Sequence, residues 1–577
     1  MQQHKIIQVM TLSLFIAMSG IAANFELSTG ITKFDIAYKG GIDNIAFNTH
    51  LDEGEMGTFH AGEFWNQVWT RDGSYAIEQA AALISPTVSK GTFLYTAKRE
   101  SYQGKDIAYQ DICGHFGGWP ALTDAVTYAP GVWQYIRVTR DVGFISYAYD
   151  VLENTLARAE AEVFDAVDGL FKGCSSFMES NSGYPEKYAN NGDLVAQTKA
   201  GSTNMLHYKA YLVVAELGKL LGKDQTVIDA YLTKAAALKI AINKELWMPD
   251  KGYYAYIKDE NGNWLEEHEG LGSAFAILYD IADSAKCESI FKNMQVSDFG
   301  VMCLYPQYQA WSNYTLGDAM YYHTGMIWPF VQGYWAWAAS DKRKTDVFMY
   351  ELDKCQLLYS LSAEGAKTGE FREFYRPEAG EPDGGGRQLW SATGYISMIN
   401  HGLFGMDFQL DGIHFNPLVP DAFTEEMTLK NIPYQGMNLS VSVVGPGKYV
   451  HEFYLDSILQ EEPVVPFDLT GEHTVKVVVG KNPPIITKTE KPKIQLASGS
   501  LITTFSGNEI VFRLESQQNF NLTLNDLSGK VLGTAKSSSG EVRLYRNNAM
   551  KNSLMIASWK SEHQQGKSMV YLQNSRF

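Results

Sequence analysis

Residues 205–221, MLHYKAYLVVAELGKLL, and 225–246, QTVIDAYLTKAAALKIAINKEL, carry apolar side chains at helical spacing and follow one another almost directly. Residues 122–139, 145–163 and 324–339 repeat the pattern, separated by aromatic, glycine-rich loops. Helices that come in pairs bury their apolar faces only against neighbouring pairs. The spacing therefore predicts a mainly α region over about residues 60–405. Periodicity alone fits both a toroid of hairpins and a compact bundle.

Outside that region the character changes. Residues 31–38 and 45–49 read as strands or a short lead-in, whereas 413–415, 437–444, 449–454 and 474–479 are short alternating or β-branched runs that predict a small β-domain. A Lys/Pro/Thr-rich linker, 481–493, separates it from a second β-rich block, 494–577. Lys5 precedes an apolar run over 6–23 that ends in the small residues Ser19, Gly20, Ala22 and Ala23, the pattern of a cleaved secretory signal. The expected organisation is a signal peptide (1–23), a lead-in (24–60), the helical catalytic domain (61–405), a β-sandwich (406–480), the linker and a terminal β-rich block. Export to the medium or cell surface follows from the signal, with the periplasm as the alternative.

The 577-residue chain is too long for one ordinary domain. Its net charge of −17, without a Lys/Arg run interleaved with aromatics, argues against nucleic acid and anionic membrane surfaces as partners. Past residue 23 no stretch is apolar enough to cross a bilayer. Of the twelve tryptophans all but Trp559 precede residue 400, which places aromatic-rich chemistry in the helical region. The five cysteines are scattered and lack metal-ligand spacing, so no metal or other cofactor is expected.

Two motifs point to a sugar pocket. Glu373 lies in Gly369-Glu370-Phe371-Arg372-Glu373-Phe374-Tyr375-Arg376-Pro377, shortly before Gln388-Leu389-Trp390-Ser391-Ala392. A carboxylate among aromatics suits a general base that holds water against a sugar ring, because the rings exclude bulk solvent and stack on the sugar's apolar face. Far upstream stands Trp69-Thr70-Arg71-Asp72, just before a helical run. An adjacent Arg and Asp can clamp neighbouring hydroxyls, one donating and one accepting, while the tryptophan covers the ring. The alternative is a structural Arg–Asp pair that caps the helix.

Trp-Thr-Arg-Asp resembles the motif with which the glucoamylase family holds its terminal glucose. His323-Thr324-Gly325-Met326-Ile327-Trp328-Pro329 is similar to a segment of glycogen-debranching glucosidases and of family 63 α-glucosidases, and the Glu373 and Trp390 segments resemble the general-base region of the same six-hairpin clan. The likeness covers about residues 60–405 and implies an (α/α)6 toroid followed by one or two small C-terminal β-sandwich domains. It also implies a general acid in a mid-barrel loop. The matching stretch is Met178-Glu179-Ser180-Asn181-Ser182-Gly183-Tyr184-Pro185-Glu186, where Glu186 is the first choice and Asp193 and Glu179 stand behind it. Asn204, in a segment resembling one that opens a clan helix, is a further pocket candidate, although Ser202 or Thr203 could instead cap that helix. Trp119 and Glu269 are weaker candidates. The last block, with its Asp526-Leu527-Ser528-Gly529 turn, is similar to sorting domains of the type IX secretion route, with a carbohydrate-binding module as the competing reading.

The combined expectation is an exo-acting, inverting hydrolase of terminal α-glucose in oligosaccharides, with Glu186 and Glu373 catalytic and Trp69, Arg71, Asp72, Trp119, Asn204, His323, Trp328 and Trp390 around the sugar. A phosphorylase on the same barrel, or a glycan-binding protein on a retired one, are the alternatives.

Overall fold

The computed structural model describes residues 24–308, 321–362 and 369–484, and separate stretches between 501 and 571. Two kinds of helix alternate along the first three segments. One kind is buried nearly throughout: Thr70–Ala76, extended by the π-helical turn Ile77–Ala81; Tyr128–Thr139; Gly201–Leu220; Gly270–Leu278; Pro329–Asp341; and Leu389–Ser397. The other kind buries only one side: Thr32–Phe47, Pro86–Ala97, Val142–Glu162, Gln225–Glu245, Ser284–Asn293 and Thr345–Leu361. A helix apolar on all sides must be enclosed by others, whereas a one-sided helix forms the outer layer. Each inner helix packs against the next in chain order, and Leu389–Ser397 returns to touch Thr70–Ala76. Their N-terminal ends gather at one end of the bundle, and the candidate site lies there.

The strand alternative for the N-terminal lead-in is overturned over residues 32–47. Residues 32–47 form a helix, Thr32–Phe47, and not strands, although Gly40-Gly41 stands in its middle. Those glycines serve close packing: a β-carbon on Gly40 would lie 2.1 Å from the Tyr359 hydroxyl, and one on Gly41 would lie 3.1 Å from Ile396. Short strands flank the helix, and Glu26–Ser28 joins a six-stranded sheet as its edge, next to Met427–Tyr434.

That sheet continues through Met437–Val444, Gly471–Gly480, Tyr449–Leu455 and Ile458–Leu459. Met437–Val444 and Gly471–Gly480 run parallel, with Met437 opposite Gly471. A three-stranded sheet of Met406–Gln409, Gly412–Phe415 and Val464–Pro466 lies between, and its buried side chains continue the helical core. Ile510, Phe512, Leu522, Leu524 and Trp559 form a separate core in the last block. The expected signal segment and most of the linker fall outside the described residues. All five cysteines are free, and among the described residues no helix is long and apolar enough to cross a membrane and no cluster could hold a metal ion.

Candidate active site

Trp69 is extended and the helix starts at Thr70, so Arg71 and Asp72 fall in its first turn. The capping role left open for the Arg71–Asp72 pair belongs to another residue. Asp111, from a separate loop, accepts from Thr70 N at 3.0 Å and Arg71 N at 3.2 Å, where an acid also meets the positive end of the helix dipole. The Arg71 side chain is buried, with Nη1 2.6 Å from Asp124 Oδ2 and 3.6 Å from Glu179 Oε2, and Nε 3.6 Å from Asp72 Oδ2. Among the described residues neither oxygen of Asp72 has a hydrogen-bond partner, and burial pushes its carboxyl well above the usual range. A buried acceptor left open in a pocket is a place for a ligand's hydroxyl.

Glu373 is held from three directions. Its Oε2 accepts from Trp65 Nε1 at 3.1 Å and Gly385 N at 3.0 Å, and its Oε1 accepts from the Tyr322 hydroxyl at 3.2 Å. Glu179 Oε1 stands 3.4 Å from that same hydroxyl, and its Oε2 is 3.7 Å from His323 Nε2. Tyr322 thus lies between two carboxyl groups. A phenol has one proton to give, so both contacts are good hydrogen bonds only when one carboxyl is protonated and donates to the phenol oxygen. Three donors on Glu373 favour its anion, which leaves the proton on Glu179. Burial raises both carboxyls above their ordinary range, against the pull of Arg71 on Glu179 and of the three donors on Glu373.

These groups line a cavity of about 460 Å³, with Trp65, Trp69 and Trp390 on its walls and Ile112, 68% exposed, at its rim. Trp328 and His323 stand behind the wall. His323 stacks on Trp328, and Trp328 stacks in turn on Phe374 and gives its indole N–H to the Tyr322 carbonyl. They fix Tyr322, which has φ of 56°, without lining the cavity themselves.

Five expected pocket residues lie elsewhere. Glu186 opens the 3₁₀ turn Glu186–Tyr188 with its side chain exposed, and Asp193 is exposed in the short helix Gly192–Val195. The Glu179 loop turns inward because His115 N bonds the Glu179 carbonyl at 3.0 Å. Asn204 is fully buried and holds the strand Leu170–Phe171, accepting from Phe171 N at 2.7 Å and donating to Phe171 O at 3.0 Å. Trp119 gives its N–H to Glu162 at 2.6 Å and carries Arg158 on its ring, away from the cavity. Glu269 is buried beneath the site, accepting from Ser175 Oγ at 2.7 Å. Residues that the sequence reading missed include Trp65, Tyr322, Cys113, whose sulfur is 3.5 Å from Arg71 Nη2, and Gln388. Tyr322 stood directly beside the recognised His323 motif.

Residues 121–391 match the family described as the mannosylglycerate hydrolase MGH1-like glycoside hydrolase domain. The chain thus carries a glycoside hydrolase domain, of six-hairpin type and resembling the glycosidases of family 63. Among solved structures, a sialidase shares the fold with a TM-score of 0.57 and 17% identity, over 74% of this chain and 38% of that one. A family 78 rhamnosidase from a Bacillus species gives 0.47 and 14%, over 80% and 43%. The family 63 mannosylglycerate hydrolase of Thermus thermophilus gives 0.46 and 12%, over 63% and 99%. The chain spans about two-fifths of the length of the sialidase and of the rhamnosidase. No curated protein sequence matches it.

Proposed function

We propose that the chain is an exo-acting hydrolase of α-linked hexosides, built on an (α/α)6 toroid of inner and outer helices and backed by a β-sandwich. The observation that carries this reading is the Tyr322 hydroxyl held between Glu179 and Glu373. Glu179 gives its proton to the glycosidic oxygen as the bond to the anomeric carbon breaks. Glu373 takes a proton from water, whose oxygen bonds to that carbon. Arg71 and Asp72 grip hydroxyls of the terminal sugar, and Trp65, Trp69 and Trp390 exclude bulk solvent. The well-oriented base favours hydrolysis over phosphorolysis, since phosphate needs no base to activate it.

Glucose is the proposed terminal sugar, on the resemblance of the Trp-Thr-Arg-Asp motif. The family match offers a second reading, an α-mannoside of glycerate. The described lining favours a neutral leaving group: its one guanidinium, Arg71, is already engaged by Asp124, and Glu373 is held as an anion by its three donors. Like charges across a desolvated pocket repel a carboxylate ligand. The apolar run after Lys5 supports export of the protein.

Sugar release from matched α-glucosides, α-mannosides, α-galactosides and α-mannosylglycerate tests both readings. Turnover of a neutral α-glucoside is expected to exceed the rest. Absence of turnover on every glycoside, with binding retained, would leave a glycan-binding protein.

A further inference from the structure

The inner helices end at a second cavity, of about 700 Å³, bordered by the strands Met406–Gln409 and Gly412–Phe415. Glu78 in its wall follows Asp72 on the same helix, ~9 Å further along the axis. It lies at the opposite end of the bundle from the catalytic pocket, and no residue lines both.

The chemistry of this cavity is unbalanced toward donors. Lys209 sits midway along Gly201–Leu220 and stands 5.1 Å above the Tyr279 ring; among the described residues its ammonium makes no hydrogen bond or close ion pair, and Glu78, Asp280 and Asp407 are the acids around it. Lys209 is partly buried, and lysines drawn toward an interior are usually paired. Beside it Arg137 Nε is buried and unpartnered, while its Nη2 donates to Gln134 Oε1 at 2.5 Å and its Nη1 is 3.7 Å from Asp407. The acids already have donors: Glu78 from Tyr334 at 2.6 Å and Tyr279 at 3.4 Å, Asp407 from Gln409 at 2.6 Å, and Asp341 from Lys342 at 2.9 Å. Arg137 is in the last turn of its helix, where a cation complements the helix dipole. Lys209, mid-helix, has no such role. Burial, with Arg137 next to it, holds the Lys209 ammonium down at about 8 against the pull of Glu78, Asp280 and Asp407.

We propose that this cavity is a second ligand site that takes a small organic anion, a carboxylate or a phosphate ester, on Lys209 and Arg137. A ligand rich in acceptors and carrying negative charge supplies the direct acceptor that the Lys209 ammonium and Arg137 Nε lack, in a space sized for a small molecule.

Isothermal titration of the full chain with inorganic phosphate in one arm and malonate in the other tests it and separates the two anions. Saturable one-site binding is expected in at least one arm, weakened at least tenfold by Lys209→Met, with hydrolysis kinetics of that variant unchanged. Should Lys209→Met not fold, Lys448→Met on the cavity's rim is expected to weaken the same binding by a smaller factor. Lack of binding in both arms up to millimolar anion, or equal binding by the folded Lys209→Met variant, would overturn the proposal.

Discussion

Gly384 stands against Glu373 so closely that a β-carbon on it would lie 2.7 Å from the carboxylate Oε2, and its φ of +68° is one that side chains resist. The next residue, Gly385, gives Glu373 one of its three hydrogen bonds. Backbone and carboxylate are therefore fitted to each other. Gly384→Ala is expected to cut kcat at least tenfold by displacing Glu373, with a cost in stability of about 1–2 kcal/mol from the strained backbone. Steady-state kinetics beside thermal unfolding checks this; unaltered kcat would mean that Glu373 needs no such seat.

The acid assignment separates two glutamates seven residues apart in sequence. Glu179→Gln should spare a glycosyl fluoride, whose leaving group departs without protonation, far more than natural glycosides, on which a loss of roughly 10²–10⁴-fold is expected. Glu186→Gln should leave both substrates near wild type, because its side chain is in solvent. The reverse pattern would restore Glu186 as the acid.

Asp72 is a liability without substrate, since both of its oxygens are buried without donors. Asp72→Asn is expected to lower kcat/KM by about a hundredfold or more, as the amide replaces one of the two carboxyl oxygens open to sugar hydroxyls. The melting temperature should hold or rise, the usual sign of a group kept for function rather than stability. A large fall in melting temperature would assign Asp72 to the structural pairing with Arg71.

The helices from residue 128 onward were legible because their apolar spacing is a local property, and so was the Trp69–Asp72 motif, which needs only a helix start. The acid was not. Glu179 and Glu186 share one loop, and the choice between them is made by Arg71, His323 and Tyr322, which arrive from distant parts of the chain. Asn204 misled for a related reason: a polar residue at a helix start can face a ligand or satisfy a buried strand, and the partner, Phe171, lies 33 residues away. The helix Thr32–Phe47 was hidden by Gly40-Gly41, which lowers helix propensity but permits the close approach of Tyr359.

Glu351, on the outer helix Thr345–Leu361, gives a pH signature independent of catalysis. Burial raises its carboxyl to about 7, against donors from Gln332 and Val301 N. With the folded value above the unfolded one, the folded state holds the extra proton between them. Stability is then full below about pH 4.5 for this group and falls as pH rises to about 7, by roughly 3 kcal/mol at most. Denaturant unfolding across that window should show the decline, and Glu351→Gln should make it shallower while activity is kept. A profile with the same slope in the variant would place the linkage elsewhere, with Glu269 or Asp111, both also raised to about 7, as the next groups to test.

Stereochemistry discriminates between the two ways of using this carboxyl pair. The contacts through Tyr322, laid end to end, cap the separation of the facing Glu179 and Glu373 oxygens at about 6.6 Å, against ~6.5–9.5 Å for inverting pairs and ~5–5.5 Å for retaining ones. The cap itself admits both, so the hydrogen bonds must decide. A nucleophile needs a free oxygen aimed at the anomeric carbon, yet both oxygens of Glu373 are occupied, Oε2 by two N–H groups and Oε1 by Tyr322. A base needs only to accept a proton from water, and Oε1 can exchange its phenol contact for that water. An α-glycoside should therefore release the β-anomer first, seen by proton NMR before mutarotation. Initial α-anomer would require a covalent intermediate on Glu373, and the roles given to Tyr322 and its two carboxyls would have to be reassigned.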